Sequence, residues 1–282
     1  MRIARSQLGA RIAGKLRSRV VLRCAACLAF ATAITMVSAE PVARGLRSHP
    51  MMIRRIATNE KVVALTFDDG PHPLYTPQLL KELDRYHIKA TFFMIGKRME
   101  RWPEIVDATV EAGHVVANHT YSHPRYLAEA PADEIAREID HGEAVVERMT
   151  GQRYGLFRPP RGLVGPNMLS VAQWHGQKTV LWSVSGYHHE SKTPYLMAQR
   201  VIARAHPGSI ILMHDGRYPM RWKDVVAAPL IIDGLRKKGY RFVTVPELLK
   251  MGRALATSNP PHAAKPTASR PPSQHYSPAP HR

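Results

Sequence analysis

Short apolar runs recur along the chain at 62–68, 90–96, 114–120, 154–160, 178–184, 209–215 and 242–245. Each is too short for a typical helix and bounded by polar or turn residues, so each predicts a strand. Between most of them lie stretches with apolar residues every three or four positions, at 76–86, 103–112, 132–149, 167–175, 194–205 and 223–238, which predict amphipathic helices. Strand and helix in alternation imply a mostly parallel sheet joined by crossovers. Seven such units suit a closed or nearly closed β/α barrel in one catalytic domain. In such a barrel, chemistry gathers at the carboxyl ends of the strands.

The ends of the chain break this pattern. Residues 1–39 carry seven Arg and Lys and no acid, and an uncharged stretch from Cys24 runs to Val37-Ser38-Ala39 before Glu40. A basic region, an apolar region and small residues in that order predict an export signal cleaved after Ala39. An uncleaved N-terminal anchor is the alternative; either way the body is exported to the periplasm, the cell envelope or the medium. Both cysteines, Cys24 and Cys27, fall in this segment, so the exported body has no disulfide to form. Residues 40–59 read as a linker and 60–252 as the catalytic domain. Residues 253–282 hold seven prolines among small and basic residues and predict an extended, disordered tail.

A formal net charge of +18 invites a nucleic-acid reading until it is located. Residues 60–256 hold 26 Arg and Lys against 21 Asp and Glu, an ordinary surface mixture with no basic stripe interleaved with aromatics. No nucleic-acid partner is expected. The remaining expectation is a monomer with at most transient membrane contact through its N-terminal segment.

Four of the seven strand ends carry chemically capable groups. The first reads Thr66-Phe67-Asp68-Asp69-Gly70-Pro71. Two adjacent carboxylates repel each other unless a cation answers them, although Gly70 and Pro71 also describe a plain turn. The third reads Asn118-His119-Thr120-Tyr121-Ser122-His123. Two imidazoles four residues apart converge if the chain turns helically there, and with one carboxylate they form a three-ligand cation site with an open position. A polar loop is the bland alternative. His214 closes the sixth run; an imidazole titrating near neutrality suits proton donation to a leaving group, and a buried, hydrogen-bonded histidine is the other reading. Arg158, between Phe157 and Pro159-Pro160, is expected to turn inward and need a carboxylate, for which Asp68 is the natural partner. Gly-x-Ser-x-Gly and Gly-x-Gly-x-x-Gly are absent.

Together these residues resemble the polysaccharide deacetylases of the NodB-homology type, carbohydrate esterase family 4, over residues 60–250. Thr66 to Pro71 matches the first motif in full, His119 and His123 the second, and Leu212 with His214 the fifth. The resemblance implies a distorted seven-stranded (β/α) barrel. It makes Asp68 the general base, His214 the general acid and Arg158 a further catalytic residue. Asp69, His119 and His123 become ligands of a divalent metal, usually zinc, with cobalt or manganese as alternatives. Pro160, Arg161, Leu212 and Tyr187 are placed on the substrate. The implied reaction is hydrolysis of the acetamide of an N-acetylated sugar in a polysaccharide or oligosaccharide, peptidoglycan or chitin-like, releasing acetate. A weakly active or inactive glycan-binding relative and a non-sugar amidohydrolase on the same fold are the alternatives.

Two motifs depart from the family pattern. The third, usually Arg-Pro-Pro-Tyr, has Arg161 in the aromatic's place. The fourth, usually Asp-x-x-Asp-Trp, has Ser185, His188 and His189 at its three positions and keeps no carboxylate. In the family the second of those carboxylates lies beside the acid histidine. Glu190 is the expected substitute, because Asp215 follows His214 along a strand and should point to the opposite face.

Overall fold

The structure is a computed structural model that describes residues 52–186, 191–217 and 219–256. Among them the sheet holds nine strands: β1 (Met52–Ile53), β2 (Val62–Asp68), β3 (Thr91–Met94), β4 (Val115–Asn118), β5 (Leu156–Phe157), β6 (Lys178–Val180), β7 (Val184–Ser185), β8 (Ser209–His214) and β9 (Arg241–Phe242). Their order is β1-β6-β5-β4-β3-β2-β8-β7, with β9 against the start of β2 and every pairing parallel. Eight helices accompany them: α1 (Tyr75–Arg85), α2 (Gly96–Arg101), α3 (Pro103–Glu111), α4 (Ala132–Thr150), α5 (Pro166–Trp174), α6 (Pro194–Arg204), α7 (Trp222–Lys237) and α8 (Val245–Ala256). The seven strands and six helices expected from periodicity are present, and the parallel, curled β/α architecture is the one the alternation implies.

The curl closes through residues expected to be linker. β1 pairs with β6, and just beyond it Arg55 bridges Ser209 in antiparallel fashion while the Ile56 N–H donates to the Gly208 carbonyl. The last part of the 40–59 segment thus joins the two flanks of the sheet at the amino-terminal rim. α8 continues to Ala256 and places Leu248 in the same apolar cluster as Val62 and Ala64. The segments 1–39 and 257–282, on which the export signal and the tail were read, lie outside the described residues.

Alternation along the strands sorts side chains between two cores. Val63, Leu65 and Phe67 of β2 pack with Leu79 and Leu83 of α1, whereas Val62 and Ala64 join Phe93, Ala117, Leu156, Val180 and Ile210 inside the curl. The interior parity continues to Thr66 and Asp68 on β2, to His119 after β4, to Arg158 after β5, and to Leu212 and His214 on β8. Asp215 has the opposite parity and reaches the Thr76 hydroxyl of α1, which donates to it at 2.6 Å.

One predicted strand is two. Residues 178–184 split into β6 and β7, because the carbonyls of Val180 and Leu181 accept from the Arg158 guanidinium. The Leu181 N–H still pairs with Ile53, and by Ser183 the chain has crossed to Ile210 of β8. Run 154–160 shrinks to β5 because Pro159 and Pro160 have no N–H for a ladder.

Candidate metal and catalytic site

Asp69, His119 and His123 bring one ligand atom each to within 4.8 Å of the others, and all three are buried. His123 Nε2 stands 3.3 Å and His119 Nε2 3.7 Å from Asp69 Oδ1. Tetrahedral ligation at bond lengths of about 2.0–2.2 Å separates ligand atoms by about 3.4 Å. The spacing therefore fits a zinc-sized ion. His119 Nδ1 donates to the Arg158 carbonyl at 2.7 Å, which fixes the tautomer and turns Nε2 toward the carboxylates.

The turn carrying the two histidines is not helical. Thr120 and His123 both have positive φ, 66° and 59°, and the His123 N–H donates to Thr120 Oγ1 at 3.0 Å. Asn118, on the outer face of β4, locks this turn by accepting from the Thr120 N–H and donating to Ile139 of α4. Of the six non-glycine residues with positive φ among the described residues, five are Asp69, Thr120, His123, Arg161 and Arg217. Strain of this kind is held only where the surroundings fix it, and here it gathers at the mouth of the site.

The electrostatics favour a cation. Burial alone would raise the Asp69 carboxyl, but His119, His214 and His123 outweigh it and hold it well below the usual carboxylate range. Burial works against a charged His119, yet Asp68 and Asp69 keep it above its ordinary value. His123 goes the other way, down to about 3, through burial and the neighbouring His119, so its imidazole is neutral as a ligand must be.

Arg158 is fully buried and fully used. Its guanidinium donates to Val180 O at 3.0 Å, Leu181 O at 3.2 Å, Thr66 Oγ1 at 2.9 Å and Asp68 Oδ1 at 2.6 Å, and it lies 3.9 Å over the Phe93 ring. This leaves Asp68 Oδ2 on the side of His119 Nε2, at 3.9 Å. Asp68 is thus held beside the triad without belonging to it.

His214 sits across from this group at the end of β8, paired in register with Asp68, with its side chain 22% exposed. Its backbone N–H donates to Asp224 Oδ1 at 3.1 Å, and its Nδ1 lies 4.0 Å from the same oxygen. Arg221, just before α7, stands 3.1 Å from Asp69 Oδ2 and 4.0 Å from Asp224 Oδ2. Burial and Arg221 push His214 below its ordinary pKa, while Asp224, Asp69 and Asp68 pull it up.

Asp224 and Arg221 escaped the sequence reading, which looked to Glu190 and Asp215. Glu190 lies outside the described residues, as do Tyr187, His188 and His189. Asp215 is buried against α1, where burial raises its carboxyl to about 7. The signal for Asp224 was an acid in the first turn of a predicted helix, a position common enough to pass as a dipole partner. Arg217, on the loop after β8, sets its guanidinium on the His123 ring. Of the residues assigned to substrate, Pro160 is buried and opens a tight turn whose Gly162 lies against Trp182, and Arg161 is exposed beside it. Leu212 is buried on the inner face of β8.

The family described as polysaccharide deacetylase matches residues 55–180. A peptidoglycan-N-acetylglucosamine deacetylase of Bacillus cereus is 39% identical over 197 residues, covering 69% of this chain and 91% of that protein. The peptidoglycan-N-acetylmuramic acid deacetylase PdaA of Bacillus subtilis is 32% identical, covering 68% of this chain and 73% of its own length. Among solved structures, a peptidoglycan N-acetylglucosamine deacetylase crystallised with a benzamide ligand superposes with a TM-score of 0.69 at 35% identity, over 72% of this chain and 95% of that one. On these matches in sequence and fold, the chain belongs to the polysaccharide deacetylase family.

Proposed function

We propose that the protein hydrolyses the acetamide of N-acetylated sugars in peptidoglycan, outside the cytoplasm, with a divalent ion, zinc first, held by Asp69, His119 and His123. The observation that carries this reading is the convergence of those three ligands beside a separate carboxylate, Asp68, that an arginine fixes in place. The bound ion would supply Lewis-acid polarisation of the acetyl carbonyl and of the attacking water.

The protein's own groups do the rest. Asp68 takes a proton from the water as its oxygen bonds to the carbonyl carbon, and the Arg158 hydrogen bond holds that carboxylate in place. His214, on the opposite side, gives a proton to the sugar nitrogen as the carbon–nitrogen bond breaks, since an amine leaves poorly as an anion. Acetate and a free amino sugar result. Leu248 of α8 packs with Val62, Ala64 and Ile210 inside the curl, near the strand starts and away from the strand ends that carry these groups.

Support for peptidoglycan comes from the relatives' activities and from the excess of positive charge on the chain, which suits an anionic envelope polymer. Acetate release from peptidoglycan, chitin oligomers and acetylated xylan, each with zinc, cobalt or manganese, tests the reading. Release from peptidoglycan fragments is expected, and no release from any N-acetylated glycan with any of the metals would overturn it.

A further inference from the structure

Asp224 is a buried carboxylate outside the metal triad. It stands in the first turn of α7, where an acid serves the helix dipole equally well from the surface. Instead its side chain is 2% exposed and turned toward the mouth of the curl. A buried carboxylate is costly unless it is matched by donors. Its Oδ1 faces two nitrogens of one residue: the backbone N–H of His214 at 3.1 Å and the ring Nδ1 at 4.0 Å. Its Oδ2 faces Arg221, whose other side reaches Asp69. The carboxylate is therefore tied by a backbone bond to the strand position that carries the imidazole, at the depth of that ring.

The geometry points to Asp224 as the positioning residue for His214. An acceptor opposite Nδ1 selects the tautomer with hydrogen on Nδ1 and leaves Nε2 to carry the proton that substrate receives; such contacts are commonly long without substrate and shorten when it binds. Among the described residues, the charged groups facing the ring are Asp224 and Arg221 from the α7 side and Asp68 and Asp69 from the end of β2. Of these, Asp224 alone is engaged neither with Arg158 nor with the metal triad. The role rests on the proposed reading of His214 as proton donor. It is a relocation: the carboxylate sought on the loop after β7 is supplied from the helix after β8.

The test uses the full zinc-loaded chain as wild type, Asp224→Asn, Asp224→Ala, Asp224→Glu and His214→Ala. Three quantities are read: zinc content, kcat and KM for acetate release from an N-acetylglucosamine oligomer, and the His214 tautomer by long-range nitrogen–proton NMR. The His214→Ala variant identifies the signal. Zinc content and KM should be unchanged in Asp224→Asn and kcat at least about tenfold lower. The His214 ring should move from Nδ1–H toward Nε2–H, and Asp224→Glu should recover part of kcat. Should Asp224→Ala fold poorly, the near-isosteric Asn variant still decides. An unchanged tautomer with unchanged kcat overturns the assignment, and so does a loss of kcat that tracks a loss of zinc. If His214→Ala keeps wild-type kcat, the donor reading fails by itself, while the tautomer still reports on Asp224.

Discussion

On the β2–β4–β5 flank of the site, the side chains of Asp68, Asp69, His119, His123 and Arg158 are at most 7% exposed, and each holds at least one of the others. On the β8–α7 flank, His214 is 22% exposed and its acidic partner comes from a helix ten residues further on. The first flank is preorganised by mutual contacts among residues that close neighbouring strands. The second depends on how α7 is set against β8, with Arg221 as the link between the two. In the proposed reaction, metal capture and water activation fall to the rigid wall of mutual contacts, and proton delivery to the flank set by α7.

The largest effect should come from breaking the rigid wall. His119→Ala or His123→Ala should lose most of the bound metal and bring acetate release to background, as elemental analysis beside an acetate assay would show. Asp68→Asn should keep the metal and lower kcat by about 10²–10⁴, because a base is removed while the ligands stay. Equal loss of metal would merge the two roles. Arg158→Met should destabilise the fold by about 3–5 kcal/mol in a denaturant titration, since it strands the Asp68 carboxylate in the interior.

A smaller effect separates stability from catalysis. Glu143 of α4, behind the histidine turn, has its carboxyl raised by burial to about 7 from an ordinary value of 4.5. Its contribution to stability is complete below the unfolded value and is lost as pH rises from about 4.5 through 7. Glu143→Gln should match wild type in melting at pH 5 and exceed it at pH 8 by up to about 3 kcal/mol. Wild-type acetate release, corrected for folded fraction, should not follow that curve. The smallest change is expected from Arg161→Tyr. The side chain is exposed, so kcat should stay within about threefold and any shift should fall on KM for anionic fragments.

What the sequence disclosed follows the same division. Asp68, Asp69, His119 and His123 sit within a few residues of strand ends, so local pattern and a family motif locate them together. Arg158 was legible because two prolines end the strand beside it. Asp224 was not, because its meaning depends on the packing of α7 on β8, which no local period encodes. The fold shows a parallel case. β2 and β8 announce themselves by unbroken apolar runs, whereas β1 and β7, two residues each, owe their pairing to partners distant in sequence. The break between β6 and β7 comes from a guanidinium claiming two carbonyls, a tertiary effect.

The proposed reaction rests on one metal at Asp69, His119 and His123 working with Asp68 as base. It is tested most directly by stripping the protein of metal and titrating zinc back while following acetate release from peptidoglycan fragments, in wild type and in Asp68→Asn. No release is expected from the stripped protein, activity should rise to a plateau at one equivalent, and Asp68→Asn should bind the same equivalent yet stay at least about a hundredfold slower. Full activity in the stripped protein, or wild-type rates in zinc-loaded Asp68→Asn, would contradict it.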